Sequence, residues 1–156
     1  MLLLIPGPVQ TRPEVRAAAA QDYAPWDNDF RAIYASIRER VLAIAGGIPG
    51  EHATLPLQGC GHFLVEAAVR SLVPPGGKLL ILRNGSYAER AVRLATEAGR
   101  IVVGIEGPDT RPVGAEAIAA ALAADPAIGH VLAVHNETGS GIVNDPAVIG
   151  PVVRAA

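Results

Sequence analysis

The spacing of apolar positions changes character near residue 53. Before it, Phe30, Ile33, Tyr34, Ile37, Val41 and Ile44 recur at three- and four-residue steps, which predicts one apolar stripe on a helix. Asp27 stands where an N-cap belongs, and Gly46 and Gly47 supply the stop. An alanine run that ends near Tyr23 predicts a shorter helix, with Thr11 and Glu14 as the first and last places of a capping box. Beyond residue 53, short apolar runs alternate with helical stretches. Strands are predicted at 53–57, 78–82, 100–105 and 130–135, with helices at 61–73, 86–98 and 114–124. A last helix is expected to start at Asp145, with Pro146 in its first turn and a kink or early stop at Gly150 and Pro151.

Strict alternation of strand and helix, with runs apolar on both faces, argues for an α/β fold: a mostly parallel sheet with helices on both faces. Residues 1–52 then form an N-terminal arm with helices, and 53–156 the α/β domain. Right-handed crossovers put the C-terminal end of every parallel strand on one edge, where open sheets of this kind bind ligands.

Composition narrows the partners. Thirteen basic and 15 acidic residues leave a net charge of -2 without a basic stripe, which argues against nucleic acid. Half the residues are apolar, enough for an ordinary core. Cys60 is the one cysteine and has no partner for an internal disulfide. The apolar start, Leu2 to Ile5, gives way at once to Pro6, Gly7 and Pro8. That is too short for a secretory leader or a membrane span, so a cytoplasmic protein with no membrane partner is expected.

Three loops fall at predicted strand ends. Gln58-Gly59-Cys60-Gly61-His62 precedes a helix; glycines permit a tight turn, and the N–H groups of the first helical turn suit a phosphate. Gly-x-Gly at such a junction is as often plain packing, and one cysteine with one histidine does not make a metal site. Asn84-Gly85-Ser86-Tyr87 is either a simple turn or a device that presents Tyr87 as a flat surface to a heteroaromatic ring. His135-Asn136-Glu137-Thr138-Gly139-Ser140-Gly141 is long for a plain connection. In it, Thr138 could donate to a ring substituent, and Glu137 is either a solvated charge or a loop brace.

These stretches resemble the N-terminal half of the class V, fold-type I aminotransferases that use pyridoxal 5'-phosphate. The resemblance rests on Pro6-Gly7-Pro8, Asp22-Tyr23 with Trp26-Asp27, Pro56 through His62, Glu66-Ala67-Ala68, Asn84 through Arg90, and His135 through Thr138. Within that family the pattern leans to the 2-aminoethylphosphonate–pyruvate branch, with the alanine–glyoxylate and serine–glyoxylate branches as alternatives. The resemblance implies that Cys60, Gly61 and His62 hold the cofactor phosphate, that Tyr87 lies on the pyridine ring and that Thr138 bonds near its 3'-oxygen. Pro6, Gly7 and Pro8 would approach the substrate end of the site, where a small-molecule amino donor and a keto acid bind. Cys60 departs from the family's usual serine, and Gly139 interrupts a run that is usually serine or threonine, which loosens any role for Ser140.

Transamination with this cofactor needs a Schiff-base lysine and a carboxylate on the pyridine nitrogen. In the family both follow later in the large domain, so the site is expected to be incomplete here, with the C-terminal half and small domain absent. The only lysine, Lys78, begins a predicted strand and so falls on the edge opposite the three loops. A homo-oligomer, as in the family's homodimers, or a complementing C-terminal half is the expected partner. A catalytically inactive remnant that binds a phosphorylated ligand or serves only in association is a further reading. A nucleotide-binding domain is disfavoured by the lack of a long glycine-rich fingerprint.

Overall fold

The computed structural model describes residues 3, 4, 7 and 9–156. The described chain divides into two compact units, Met1–Gln58 and Gly59–Ala156.

The first unit holds α1 (Pro13–Ala19) and α2 (Asn28–Ile44). Thr11 and Glu14 do not form the expected capping box. Pro13 takes the first helical position, which its fixed φ suits, so Arg12 becomes the N-cap and makes no side-chain cap bond. The helix also stops at Ala19, short of Tyr23. Asp27 is the N-cap of α2, though its side chain makes no cap bond. At the other end Gly46, at φ 67°, turns the chain out of the helix. The N–H of Gly47 returns to the carbonyl of Leu42 at 2.9 Å and that of Gly46 to Ala43 at 3.1 Å, the paired bonds of a Schellman stop. Tyr23, Phe30 and Tyr34 stack in series at centroid spacings of 6.3 and 6.4 Å, but Ile33, Ile37 and Val41 on the predicted stripe remain exposed.

No strand forms at 53–57. Pro56 has no N–H to give a ladder, and Leu55 is 72 % exposed; an apolar run becomes a strand only when another strand pairs with it. Among the described residues of this unit, an isolated β-bridge joins Pro49 and His52.

The second unit opens with α3 (Gly61–Leu72) and continues β1 (Lys78–Arg83), α4 (Ser86–Glu97), β2 (Ile101–Glu106), α5 (Ala115–Ala124) and β3 (Ile128–Leu132). A short hairpin, β4 (Asn136–Glu137) and β5 (Ile142–Val143), leads to α6 (Pro146–Ala155). The sheet runs β2-β1-β3, all parallel. Four successive residues of the central strand, Leu79 to Leu82, are buried, each contributing about 1.5–3 kcal/mol. Period-two alternation sends Leu79 and Ile81 to one face, with Val69, Val73, Ala91 and Ala95 of the α3–α4 side. Leu80 and Leu82 go to the other, with Val113, Ile118 and Leu122 around α5, and with Ile149 and Val152 of α6. The fold class read from the sequence is therefore observed, with three parallel strands in the sheet.

The expected strand at 130–135 begins earlier and stops at Leu132. Asn144 takes the next carbonyls out of the ladder: its side chain donates to Val134 O at 2.7 Å and its backbone N–H to His135 O at 2.8 Å. α6 starts where expected, with the Asp145 carboxylate accepting from Ala147 N at 2.8 Å, but it runs on through Pro151 instead of ending there. Among the described residues, no helix is long and apolar enough to cross a membrane.

Candidate functional site

Parallel register places Lys78, Ile101 and Ile128 together at the edge where the strands begin. The loops that leave β1 and β3, and the hairpin after them, lie at the opposite edge. Lys78 is held at its own edge by an ion pair with Asp125 at 2.5 Å. As the sequence suggested, the only lysine is remote from the loops that could form a site.

The N-terminus of α3 comes from Gly59-Cys60-Gly61-His62. Gly59 adopts φ 137°, and a Cβ there would strike the Phe63 ring at 2.3 Å, so no other residue suits this turn. A Cβ on Gly61 would meet nothing within 4 Å. Cys60 is the N-cap and is exposed. Its thiol makes no capping hydrogen bond, yet the N–H groups of Phe63 and His62 face it and, with a smaller contribution from Arg90, hold its pKa below the ordinary 9.0. Negative charge is thus favoured at this helix start, as the helix dipole requires.

The N-terminus of α4 is different. The fully buried Glu137 puts both carboxylate oxygens 3.2 Å from the Tyr87 N–H, and one of them 3.2 Å from that of Ala88. Room for this carboxylate exists because residue 85 is glycine; a Cβ there would fall 2.1 Å from Glu137 Cγ. Of the two readings open for Glu137, the loop brace is observed. A second brace joins the same segments, where the side chains of Asn84 and Asn144 bond at 2.8 and 3.3 Å. Arg83 adds a third constraint by gripping Glu89 with two bonds of 2.7 and 2.8 Å and reaching Glu106 with its remaining nitrogen. The grip of Arg83 holds the Glu89 carboxyl below its usual range.

The Glu137 brace ties the segment that carries Tyr87 to the one that carries Thr138. Tyr87 is 43 % exposed, with the Arg90 guanidinium 5.0 Å from its ring centroid. The charge of Arg90 also makes a small contribution to lowering the Cys60 pKa. Thr138 follows Glu137 at the exposed tip of the hairpin, and Ser86 Oγ would lie 3.4 Å from a Cβ on Gly139. Gly7 is exposed in the first unit, while Pro6 and Pro8 lie outside the described residues. Sequence reasoning gave no role to Arg90, Asn84 or Asn144; the Asn-Gly pair read as a turn signal hid a buried amide partner 60 positions away.

An apolar cavity of about 720 Å³ opens between α5, β3 and α6, lined by Leu122, Ile128, Val131 and Val152 among others. Its lining includes His130 and, among the described residues, no member of the braced loops.

No family model matches the chain. Among curated proteins, it is 46 % identical over 142 residues to a 2-aminoethylphosphonate–pyruvate transaminase of Rhizobium meliloti, covering 91 % of this chain and 37 % of that protein. A protein of the same name from Pseudomonas aeruginosa is 43 % identical over 153 residues, 98 % of this chain and 41 % of the relative. Among solved structures, pyridoxamine–pyruvate aminotransferase from Mesorhizobium loti superposes with a TM-score of 0.89 at 27 % identity, covering 99 % of this chain and 39 % of that one. The chain is similar over nearly its whole length to part of these aminotransferases. An alanine–glyoxylate aminotransferase from Nostoc also superposes, with a TM-score of 0.88 at 26 % identity, over 99 % of this chain and 40 % of its own. The chain spans about two fifths of the length of these relatives.

Aminotransferases of this fold depend on pyridoxal 5'-phosphate, the cofactor expected from the sequence. The residues present fit its two ends. Of the two helix starts, α4 is already filled by a buried carboxylate, whereas α3 has no side-chain cap bond and its N-cap thiol has a lowered pKa. The half-exposed ring of Tyr87 stands in the first turn of α4.

Proposed function

We propose that this chain forms the phosphate- and ring-holding part of an aminotransferase site that moves an amino group from 2-aminoethylphosphonate to pyruvate. The observation that supports the reading is the contrast between the helix starts: the Glu137 carboxylate fills that of α4, whereas that of α3 carries no side-chain cap bond. Cys60, Gly61 and His62 hold the phosphate, about 0.3–1 kcal/mol coming from the dipole alone at an exposed site. Tyr87 offers its face to the pyridine ring, worth about 0.5–1.5 kcal/mol beyond buried area, and Thr138 donates near the 3'-oxygen. The sequence resemblance further assigns Pro6, Gly7 and Pro8 to the substrate end. When bound, the cofactor supplies an electron sink for chemistry at the amino-bearing carbon.

The phosphonate branch is preferred over the glyoxylate branches because curated relatives bearing the phosphonate name reach 46 % identity, against 26 % for the Nostoc alanine–glyoxylate structure. Lys78 is bound to Asp125 at the far edge, so the covalent and proton-transfer role falls to a lysine of another polypeptide segment. By itself the chain binds the cofactor without turnover. A homo-oligomer or a complementing C-terminal half completes it, in the cytoplasm.

Titration of the full chain with pyridoxal 5'-phosphate, pyridoxal, inorganic phosphate and ATP tests this. The phosphorylated cofactor should bind more tightly than any of the others, with no transamination. Tighter binding of ATP would support a nucleotide-binding domain instead. Turnover by the chain alone, with borohydride trapping the cofactor on Lys78, would overturn the assignment.

A further inference from the structure

Glu137 does more than fill a helix end. Its carboxylate bonds to the backbone N–H of Tyr87 itself, and Thr138 follows it directly in the chain. The two residues assigned to the cofactor ring stand on segments 50 positions apart, and this buried carboxylate spans the gap. Because Glu137 is fully buried and Gly85 leaves no spare volume beside it, the carboxylate has no alternative seat. Its negative charge also offsets the positive start of α4, leaving the start of α3 as the better place for an anion.

We propose that Glu137 is a positioning residue for the cofactor ring: it sets the face of Tyr87 and the place of Thr138 relative to each other, and so converts bare phosphate binding into recognition of a phosphorylated pyridine. This rests on the reading of the site given above. In Glu137→Gln an amide of the same shape removes the charge and replaces one of the two acceptor oxygens by a donor, so the brace on the N–H groups of Tyr87 and Ala88 loosens while Cys60, Gly61 and His62 stay in place.

The test compares dissociation constants of pyridoxal 5'-phosphate and inorganic phosphate for the full chain, wild type and E137Q, with amide hydrogen exchange at Tyr87 and Ala88. Inorganic phosphate should bind both proteins alike. The preference for the cofactor over phosphate should fall about threefold to tenfold in E137Q, the range expected for losing one aromatic stacking contact, and both amides should exchange faster. General destabilisation would weaken both ligands together and leave their ratio unchanged. Gly85→Ala, which pushes a methyl group into the carboxylate, should reproduce the altered ratio if E137Q does not fold.

A wild-type preference for the cofactor that persists in a folded E137Q or G85A overturns the positioning role and spares the site assignment. A wild type without that preference overturns the site assignment, and the positioning role with it. Rapid exchange of both amides in the unsubstituted chain overturns the brace whatever the variants do.

Discussion

The side chains of Asn84 and Asn144 bond to each other at 2.8 Å and 3.3 Å although 60 positions separate them, and both are buried. Asn84 ends the path out of β1, and Asn144 ends the hairpin after β3. Their pairing holds the two segments that frame the candidate site as one body. Asn144 also donates to Val134 O, so Asn144→Ala orphans an amide and a carbonyl, at about 1–3 kcal/mol for each unsatisfied buried group. Urea denaturation should show a loss of that order. Asn84→Ala with Asn144→Ala together should cost less than the sum of the singles, because the second change removes a group that the first left unpaired.

Arg100 is a second point where one residue holds several elements. Its guanidinium donates to Val73 O at 3.0 and 2.6 Å, to Arg70 O at 2.9 Å and to Ala98 O, collecting carbonyls at the C-terminal ends of α3 and α4. Arg100→Met should destabilise the chain by about 2–3 kcal/mol, the scale for bonds to a charged group. Arg100→Lys should recover less than half of that, since an ammonium cannot fork to three carbonyls. Thermal and urea unfolding of both variants measures this; a lysine variant as stable as wild type would show that the charge alone matters.

Much of the fold was legible from local pattern, and the reasons for the misses are specific. Leu79 to Leu82 read as a buried strand because both faces are apolar, and the edge assigned to Lys78 followed from parallel topology alone. Pro13 won the helix start from Thr11 because its ring already fits the first helical position, a local conflict visible in the sequence but decided the wrong way. The run at 53–57 looked like a strand, yet strands depend on partners that periodicity does not reveal. Glu137 and Asn144 were least legible. Their roles depend on contacts 50 and 60 positions away, and nothing in the immediate neighbourhood of either residue separates a buried brace from a solvated side chain.

Acid should loosen the pairs at the two edges of the sheet in a defined order. Lys78 holds the Asp125 carboxyl below its ordinary 3.8, and Arg83 holds that of Glu89 below 4.5. A carboxyl whose folded pKa is depressed adds stability that is complete above the ordinary value and is lost as pH falls through the lowered one. Stability should therefore be flat in these terms above about pH 4.5 and decline below it, the Glu89 contribution beginning to fall before that of Asp125. Asp125→Asn and Glu89→Gln should each flatten part of the acid limb in denaturation measured from pH 6 to 2. The effects should be small and should shrink in high salt, because both pairs are well solvated. Loss of cofactor binding in Asp125→Asn would contradict the separation of this edge from the site.

Cys60 tests the start of α3 directly. The N–H groups of Phe63 and His62 lower its pKa from 9.0, so alkylation by iodoacetamide should have a midpoint below pH 9.0 in the folded chain and return to the ordinary value in urea. His62 and Cys60 itself are among the residues proposed to hold phosphate, so inorganic phosphate should slow alkylation in proportion to its occupancy, with chloride at equal ionic strength as the control. Cys60→Ser puts a better hydrogen-bond donor at the N-cap, where the family resemblance places serine, and should tighten phosphate binding severalfold, since one hydrogen bond is worth about 0.5–1.5 kcal/mol. Alkylation indifferent to phosphate, together with unchanged affinity in Cys60→Ser, would place the anion elsewhere and leave the open helix start without a ligand.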